Sequence, residues 1–286
     1  MAKSRTVGIG KVAVGNDAPV AFIAGLCSLE SERMLRTVAR GLKEALAKAG
    51  APFILKCSFD KANRTSLDSF RGLGARLGLA ILRKVADEFQ VPVLTDVHDP
   101  GQAELAAEYA DALQVPAFLC RQTDLLLACG RTGLPVNVKK GQFLSPWEMA
   151  RAVEKIESTG NHRILLTERG TFFGYGSLVV DMRSLEVMRG LGYPVVFDAT
   201  HSVQQPASRG RSTGGERERI WGLARAAAAS GVAAVFLETH PRPEAALSDG
   251  PNALHLRDVP EFIRQVVEID RVAKGFLNER RGRQAR

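Results

Sequence analysis

Short apolar runs of four to eight residues alternate along this chain with amphipathic stretches of ten or more, and the alternation repeats eight times. Runs rich in Val, Ile, Leu and Phe read as buried strands, and the longer stretches read as the helices that cover them. Predicted strands run from Val20 to Cys27, Phe53 to Cys57, Val91 to Asp96, Ala112 to Val115, Val136 to Lys139, Ile164 to Glu168, Val195 to Ala199 and Ala233 to Glu238. Predicted helices run from Ser31 to Ala49, Ala75 to Phe89, onward from Gly101, Thr123 to Cys129, Ser145 to Ser158, Arg183 to Leu191, Arg217 to Ala229 and Pro260 to Phe276. Trp147 and Trp221 fit helix packing. An open doubly wound sheet uses about five or six strands, so eight units predict closure into a (β/α)8 TIM barrel, one domain over residues 1–286. Thr6 to Val14, set among Gly8, Gly10 and Gly15, predicts a short hairpin closing the bottom of the barrel.

Composition narrows the class. The chain has 286 residues, 45% hydrophobic and 24% charged, the balance of a protein with a large core of its own. No apolar run reaches the roughly 18 residues of a membrane span, and the first residues lack the apolar stretch of a secretory signal. A cytoplasmic protein without a membrane partner is expected. Cys27, Cys57, Cys120 and Cys129 form no C-x-x-C pair, so each reads first as a small buried apolar residue. The net charge is +8, and residues 278–286 hold four arginines and one glutamate, read as a basic, disordered tail. Elsewhere the basic residues are scattered and aromatics are only 6%. That favours small anionic ligands over nucleic acid as partners.

Barrel chemistry stands where strands end and βα loops begin. Lys56 stands at the end of the second strand and Lys61 follows it, Lys139 ends the fifth, and Arg169 follows the sixth. Solvated charges of a barrel favour its outer helices, so cations at three strand ends point instead to a site for phosphate and carboxylate groups. A second constellation gathers at the seventh, eighth and first strands, which neighbour one another once the barrel closes. Cys27, His201, Glu238 and Asp249 can then meet at one point. One thiolate, one imidazole and two carboxylates suit Fe, Mn, Co or Zn better than Mg or Ca. At the third strand, Asp96 and His98 have two readings: they bind sugar hydroxyls or move protons, or they belong to a loop cap with Asp99-Pro100 opening the helix.

The segments Lys56-Cys57-Ser58-Phe59-Asp60-Lys61-Ala62-Asn63-Arg64-Thr65-Ser66, Leu113-Gln114-Val115-Pro116-Ala117-Phe118, Asn137-Val138-Lys139-Lys140-Gly141-Gln142, Phe197-Asp198-Ala199-Thr200-His201-Ser202 and Leu247-Ser248-Asp249-Gly250-Pro251 carry a specific resemblance. The chain resembles, over nearly its full length, the metal-dependent class of the 3-deoxy-D-manno-octulosonate 8-phosphate (KDO-8-phosphate) synthases. The sister DAHP synthases, which use erythrose 4-phosphate, typically carry Lys-Pro-Arg-Thr where this chain has Lys61-Ala62-Asn63-Arg64-Thr65. The resemblance implies condensation of phosphoenolpyruvate with D-arabinose 5-phosphate and water, giving KDO 8-phosphate and inorganic phosphate for lipopolysaccharide assembly. It implies that Lys56, Lys61, Gln114, Lys139 and Arg169 line the phosphoenolpyruvate site, with Ser58 and Ala117 also among the substrate-binding positions. Asn63, Arg64 and Thr65 match the motif that handles arabinose 5-phosphate, in part across a subunit contact of a homotetramer. Lys61, Asp96, His98, Lys139 and His201 are the candidate catalytic residues. The resemblance also implies one divalent transition metal on Cys27, His201, Glu238 and Asp249; it leaves open whether that metal orients the aldehyde or activates water. The chain departs from many metal-dependent relatives at Leu26, where they have proline.

Overall fold

Buried apolar residues fall into two clusters, and their division sets which way each strand faces. In the computed structural model, described over residues 4–62, 66, 68–205 and 214–284, eight parallel strands follow in order: β1 (Ala21–Ser28), β2 (Phe53–Ser58), β3 (Val93–Asp96), β4 (Ala112–Val115), β5 (Val136–Lys139), β6 (Ile164–Glu168), β7 (Val195–Asp198) and β8 (Ala234–His240). Each pairs with the next, β8 pairs back to β1, and the β7–β8 pairing completes the closed (β/α)8 barrel. Ile23, Ile54, Leu94, Ala112, Leu165, Val196 and Phe236 fill the lumen. Their neighbours Phe22, Leu55, Val93, Leu113, Leu166, Phe197 and Leu237 belong to the larger outer core beneath the helices. With both faces buried, strands of a parallel sheet read as continuous apolar runs rather than alternating ones.

The helices are α1 (Glu32–Lys48), α2 (Ala75–Phe89), α3 (Pro100–Ala107), α4 (Thr123–Arg131), α5 (Met149–Glu157), α6 (Arg183–Gly190), α7 (Ile220–Ala229) and α8 (Val259–Gln284). Side-chain caps set two of the starts: the Ser31 side chain accepts from the Met34 backbone N–H, and Asp99 accepts from that of Gln102 with Pro100 in the first turn. The predicted helices at Ser145 and Arg217 open instead as 3-10 turns, Pro146–Glu148 and Arg217–Arg219. Helix α8 continues past Phe276 to Gln284, so most of the stretch read as a disordered tail is helical. Its Glu, Arg and Gln residues are good helix formers, and one glycine among them is not enough to stop the helix.

The predicted hairpin is present as Thr6–Ile9 paired antiparallel with Val12–Gly15. Val7, Ile9, Val12 and Val14 are buried with the lumen cluster, which closes the N-terminal end of the barrel. A second hairpin, Thr171–Phe173 with Ser177–Val179, follows β6, and the short strand Leu254–His255 adds to β8. Trp221 packs edge-on against Phe262, but Trp147 is 68% exposed in its 3-10 turn.

Candidate active site

Climbing each strand by two residues from the lumen cluster reaches polar side chains. Lys56 follows Ile54, Asp96 follows Leu94, Gln114 follows Ala112, Thr167 follows Leu165, Asp198 follows Val196 and Glu238 follows Phe236. Strand period two therefore turns an apolar floor into a polar mouth at the C-terminal end. Strand β1 needs a further device. A Cβ on Gly25 would stand 1.9 Å from the Lys56 carbonyl oxygen, so only glycine fits there. The β1–β2 register shifts between Gly25 and Ser28, an irregularity of the kind that re-aims side chains next to sites, and Cys27 lies within it.

Cations and carboxylates interlock in this mouth. Lys56 Nζ lies 2.7 Å from Glu238 and 3.4 Å from Asp96, Lys139 Nζ lies 2.6 Å from Asp198, and Lys61 Nζ lies 3.8 Å from Asp96. Lys139 also sits over the Phe236 ring, 3.7 Å from its centroid. Burial works against charge on all of them. For Lys56 the facing Asp96 and Glu238 outweigh it and raise the ammonium well above its ordinary value. Asp96 is held well below the carboxylate range by Lys56, Lys61 and Lys139 despite its burial; His201 and Lys139 do the same for Asp198. Burial lowers Lys139 in spite of Asp198, and it lowers Arg169. Arg169 differs from the lysines, having no carboxylate within salt-bridge reach among the described residues. Its Nη2 donates to Gln204, while its buried Nη1 has no hydrogen-bond partner among the described residues.

A polar ladder crosses the lumen beside these cations. Ser58 and Gln114 both donate to Asp96, Asn137 donates to Gln114 at 2.8 Å, and Thr167 donates to Asn137 at 2.7 Å. Ser58 and Gln114, expected to touch substrate, have these side-chain groups committed to Asp96 and Asn137. Ala117, itself buried, opens the 3-10 turn Ala117–Leu119 after β4. His98 is half-buried with Nδ1 3.0 Å from Gln102 Oε1, which puts the proton on Nδ1 and leaves Nε2 as the acceptor. Asp99, not Asp96, makes the cap of α3, so the two readings of this strand end separate between neighbouring carboxylates. Asn63, Arg64 and Thr65 lie outside the described residues.

The other side of the mouth is a group of donor atoms. Those of Cys27, Glu238 and Asp249 all lie within 4.8 Å of one another. Cys27 Sγ is 3.1 Å from Asp249 Oδ2, and Gln204 Nε2 is 3.4 Å from Oδ1 of the same carboxylate. Asp249 takes a left-handed backbone conformation, φ 49°, an uncommon one for a residue with a side chain. His201 stands slightly apart, with Nε2 3.5 Å from Glu238 Oε2 and Nδ1 2.8 Å from Asp198 Oδ2. With Nδ1 donating to that carboxylate, Nε2 is the nitrogen that would bind a metal, the arrangement common for ligating histidines. Burial and then Glu238 push the Cys27 thiol well above its ordinary value, so a cation is what would stabilise the thiolate. A soft sulfur, an imidazole and two carboxylates fit a divalent transition metal.

Several functional positions had no sequence signal of their own. Asp198 holds both Lys139 and His201, and Asn137 and Thr167 complete the ladder; all three sit on inward-facing strand positions that a count of two from Val196 or Leu165, or one back from Val138, would have found.

The fold and site agree with comparison to known proteins. A sequence model of the DAHP synthetase I family matches residues 2–274. The chain is 55% identical over 270 residues to the 2-dehydro-3-deoxyphosphooctonate aldolase of Syntrophotalea carbinolica, covering 94% of this chain and 98% of that one. Proteins of the same name from Granulibacter bethesdensis and Geobacter sulfurreducens are 53% and 51% identical, each over 95% of this chain and over 96% and 100% of their own. With the family match spanning nearly every residue and half the sequence shared with full-length relatives, this chain belongs to the DAHP synthetase I family.

Proposed function

We propose that this protein condenses phosphoenolpyruvate with D-arabinose 5-phosphate and water, giving 3-deoxy-D-manno-octulosonate 8-phosphate and inorganic phosphate for lipopolysaccharide assembly. The relatives' name, 2-dehydro-3-deoxyphosphooctonate aldolase, supports this reading over condensation with erythrose 4-phosphate. The observation that carries it is Arg169, a buried guanidinium with an unpartnered Nη1 in a lysine-rich mouth, which is a receptor for a phosphate group.

In this reading Arg169 takes the phosphate of phosphoenolpyruvate, and Lys61, Lys56 and Lys139 surround its carboxylate and bridging oxygen. The weak enol carbon C3 is then presented to the aldehyde of the sugar, mainly a task of positioning. As the C–C bond forms, the aldehyde oxygen gains a proton and C2 becomes electron-poor. Water adds at C2, and the resulting hemiketal phosphate releases inorganic phosphate. Cations fixed before the reaction stabilise the developing charge without having to reorganise. Asp96 is held ionised, so its work is to orient Lys56 and Lys61 rather than to donate a proton. His98, with Nε2 as acceptor, fits a sugar hydroxyl. A divalent Fe, Mn, Co or Zn ion held by Cys27, His201, Glu238 and Asp249 would supply a Lewis acid at the sugar end of the mouth. His201 as a ligand has no second lone pair for proton transfer, so its metal role displaces its role as a base.

The same proposal includes a cytoplasmic homotetramer. Four unpaired cysteines suit a reducing compartment. No described helix is long and apolar enough to cross a membrane. Phe118, Phe143, Phe172, Phe173 and Tyr175, in the segments that follow β4, β5 and β6, are large exposed apolar side chains of the kind that partner subunits cover. The test is phosphate release from phosphoenolpyruvate with arabinose 5-phosphate or erythrose 4-phosphate offered separately. Turnover with the five-carbon sugar phosphate alone is expected; turnover with erythrose 4-phosphate alone would overturn the assignment.

A further inference from the structure

Lys140 is fully buried and takes no part in the chemistry above. Lys139 faces the lumen, so strand alternation turns Lys140 outward, beneath the loops that follow β5 and β6. Its ammonium lies 3.0 Å from Thr171 Oγ1, 3.3 Å from the Leu144 carbonyl oxygen, 3.4 Å from those of Gly141 and Gly170, and 3.4 Å from Glu168 Oε1. Three protons are thus shared among five oxygens, two from the loop after β5 and three from the end of β6 and the residues that follow it. Glu168 continues the staple. Its Oε1 accepts from the backbone N–H groups of Arg169 at 3.0 Å and Gly170 at 2.7 Å, and its Oε2 accepts from Ser184 of α6 at 2.6 Å. The Phe172 N–H bonds the Gln142 carbonyl at 3.0 Å, a further tie between the loops. Arg169 therefore projects from a turn gripped on both sides.

We propose that Lys140 and Glu168 form a positioning pair that aims the Arg169 guanidinium at the phosphate of phosphoenolpyruvate; this rests on the anion-binding reading of Arg169 given above. A hydrophobic pair of equal volume would fill the same space, commonly at no loss of stability. What an ion pair adds is direction: a carboxylate that can accept two adjacent backbone N–H groups, and a cation that gathers carbonyls from both loops. Among the described residues Gln204 alone holds the Arg169 guanidinium, so its aim depends on its backbone turn.

The test is a double-mutant cycle read in steady-state kinetics. Lys140→Met should raise the KM for phosphoenolpyruvate roughly tenfold or more, since displacements of about 1 Å cost up to about a hundredfold, and shift that for arabinose 5-phosphate less than about twofold. In an Arg169→Ala background the same change should add almost nothing. Equal effects in both backgrounds, or equal shifts of both KM values, would make Lys140 a structural residue and overturn the proposal. If Arg169→Ala alone leaves the phosphoenolpyruvate KM unchanged, the assignment of Arg169 itself is wrong, a distinct result. Should lone Lys140→Met fail to fold because Glu168 is left buried without a counter-charge, the neutral Lys140→Met/Glu168→Gln protein carries the same cycle, with the same outcomes decisive.

Discussion

Lys56 Nζ lies 2.7 Å from Glu238 Oε1, while the other oxygen of that carboxylate faces His201 Nε2 at 3.5 Å. One buried side chain therefore belongs to the cationic cradle and to the donor group at once. Glu238→Gln should disturb both. Metal content measured after dialysis is expected to fall tenfold or more, and the phosphoenolpyruvate KM to rise because Lys56 loses the nearer of its two carboxylate partners. Loss of metal with an unchanged KM would separate the two halves of the mouth.

Asp198 bears the second shared load, holding Lys139 at 2.6 Å and His201 at 2.8 Å. Asp198→Asn leaves Lys139 buried beside a neutral amide and should cost about 3–5 kcal/mol in urea unfolding at neutral pH. The pH dependence has a definite sign. Because the folded-state carboxyl is held below its usual range, its contribution is complete above about pH 4 and is lost as pH falls below that value. The wild-type protein should lose stability in that acid range, and Asp198→Asn should flatten that loss. An unaltered acid limb would show that other carboxylates dominate it.

Removing metal tests the donor group as a whole. Chelation followed by dialysis should abolish turnover, and added divalent Mn, Co, Fe or Zn should restore it. Full activity in protein shown by elemental analysis to be metal-free would refute a metal role for Cys27, His201, Glu238 and Asp249.

Arg64→Ala probes the motif Asn63-Arg64-Thr65. The expected outcome is a large rise in the KM for arabinose 5-phosphate with a much smaller one for phosphoenolpyruvate. Equal losses for both substrates would remove Arg64 from the sugar-phosphate site.

Thiol chemistry gives an independent check of packing. Burial pushes Cys57 and Cys129 up to about 12, and both are inaccessible. At pH 8 a thiol-specific disulfide reagent should leave both untouched in the native protein and react with all four cysteines in denaturant. Rapid native reaction at Cys57, located by mass spectrometry, would contradict the outer-core placement.

The barrel was legible because strands buried on both faces leave unbroken apolar runs with helical stretches between them. The same continuity hid which side of each strand faces the lumen. Of the adjacent Lys139 and Lys140, only Lys139 was assigned a role from the sequence; the structure sends it to the mouth and Lys140 beneath the loops. Parity was available from Val138, which belongs to the outer core, had the strand been read in twos. Cys27 was found through the neighbouring of the first and eighth strands, whereas the irregularity that surrounds it rests on Gly25, whose role appears only in the 1.9 Å approach of the Lys56 carbonyl oxygen. Trp147 could not be placed from spacing alone, because an aromatic in a 3-10 turn follows no helical face.

The hairpin packed under the lumen has a kinetic consequence. With Val7, Ile9, Val12 and Val14 filling the floor, the barrel is a blind well with a single doorway. Two substrates arriving and two products leaving must share it, and whichever molecule lies deepest cannot depart while another lies above. A compulsory order of binding, with release in reverse, is the expected outcome. Product-inhibition patterns read this directly: the product released last should compete with the substrate that binds first, and the product released first should compete with neither.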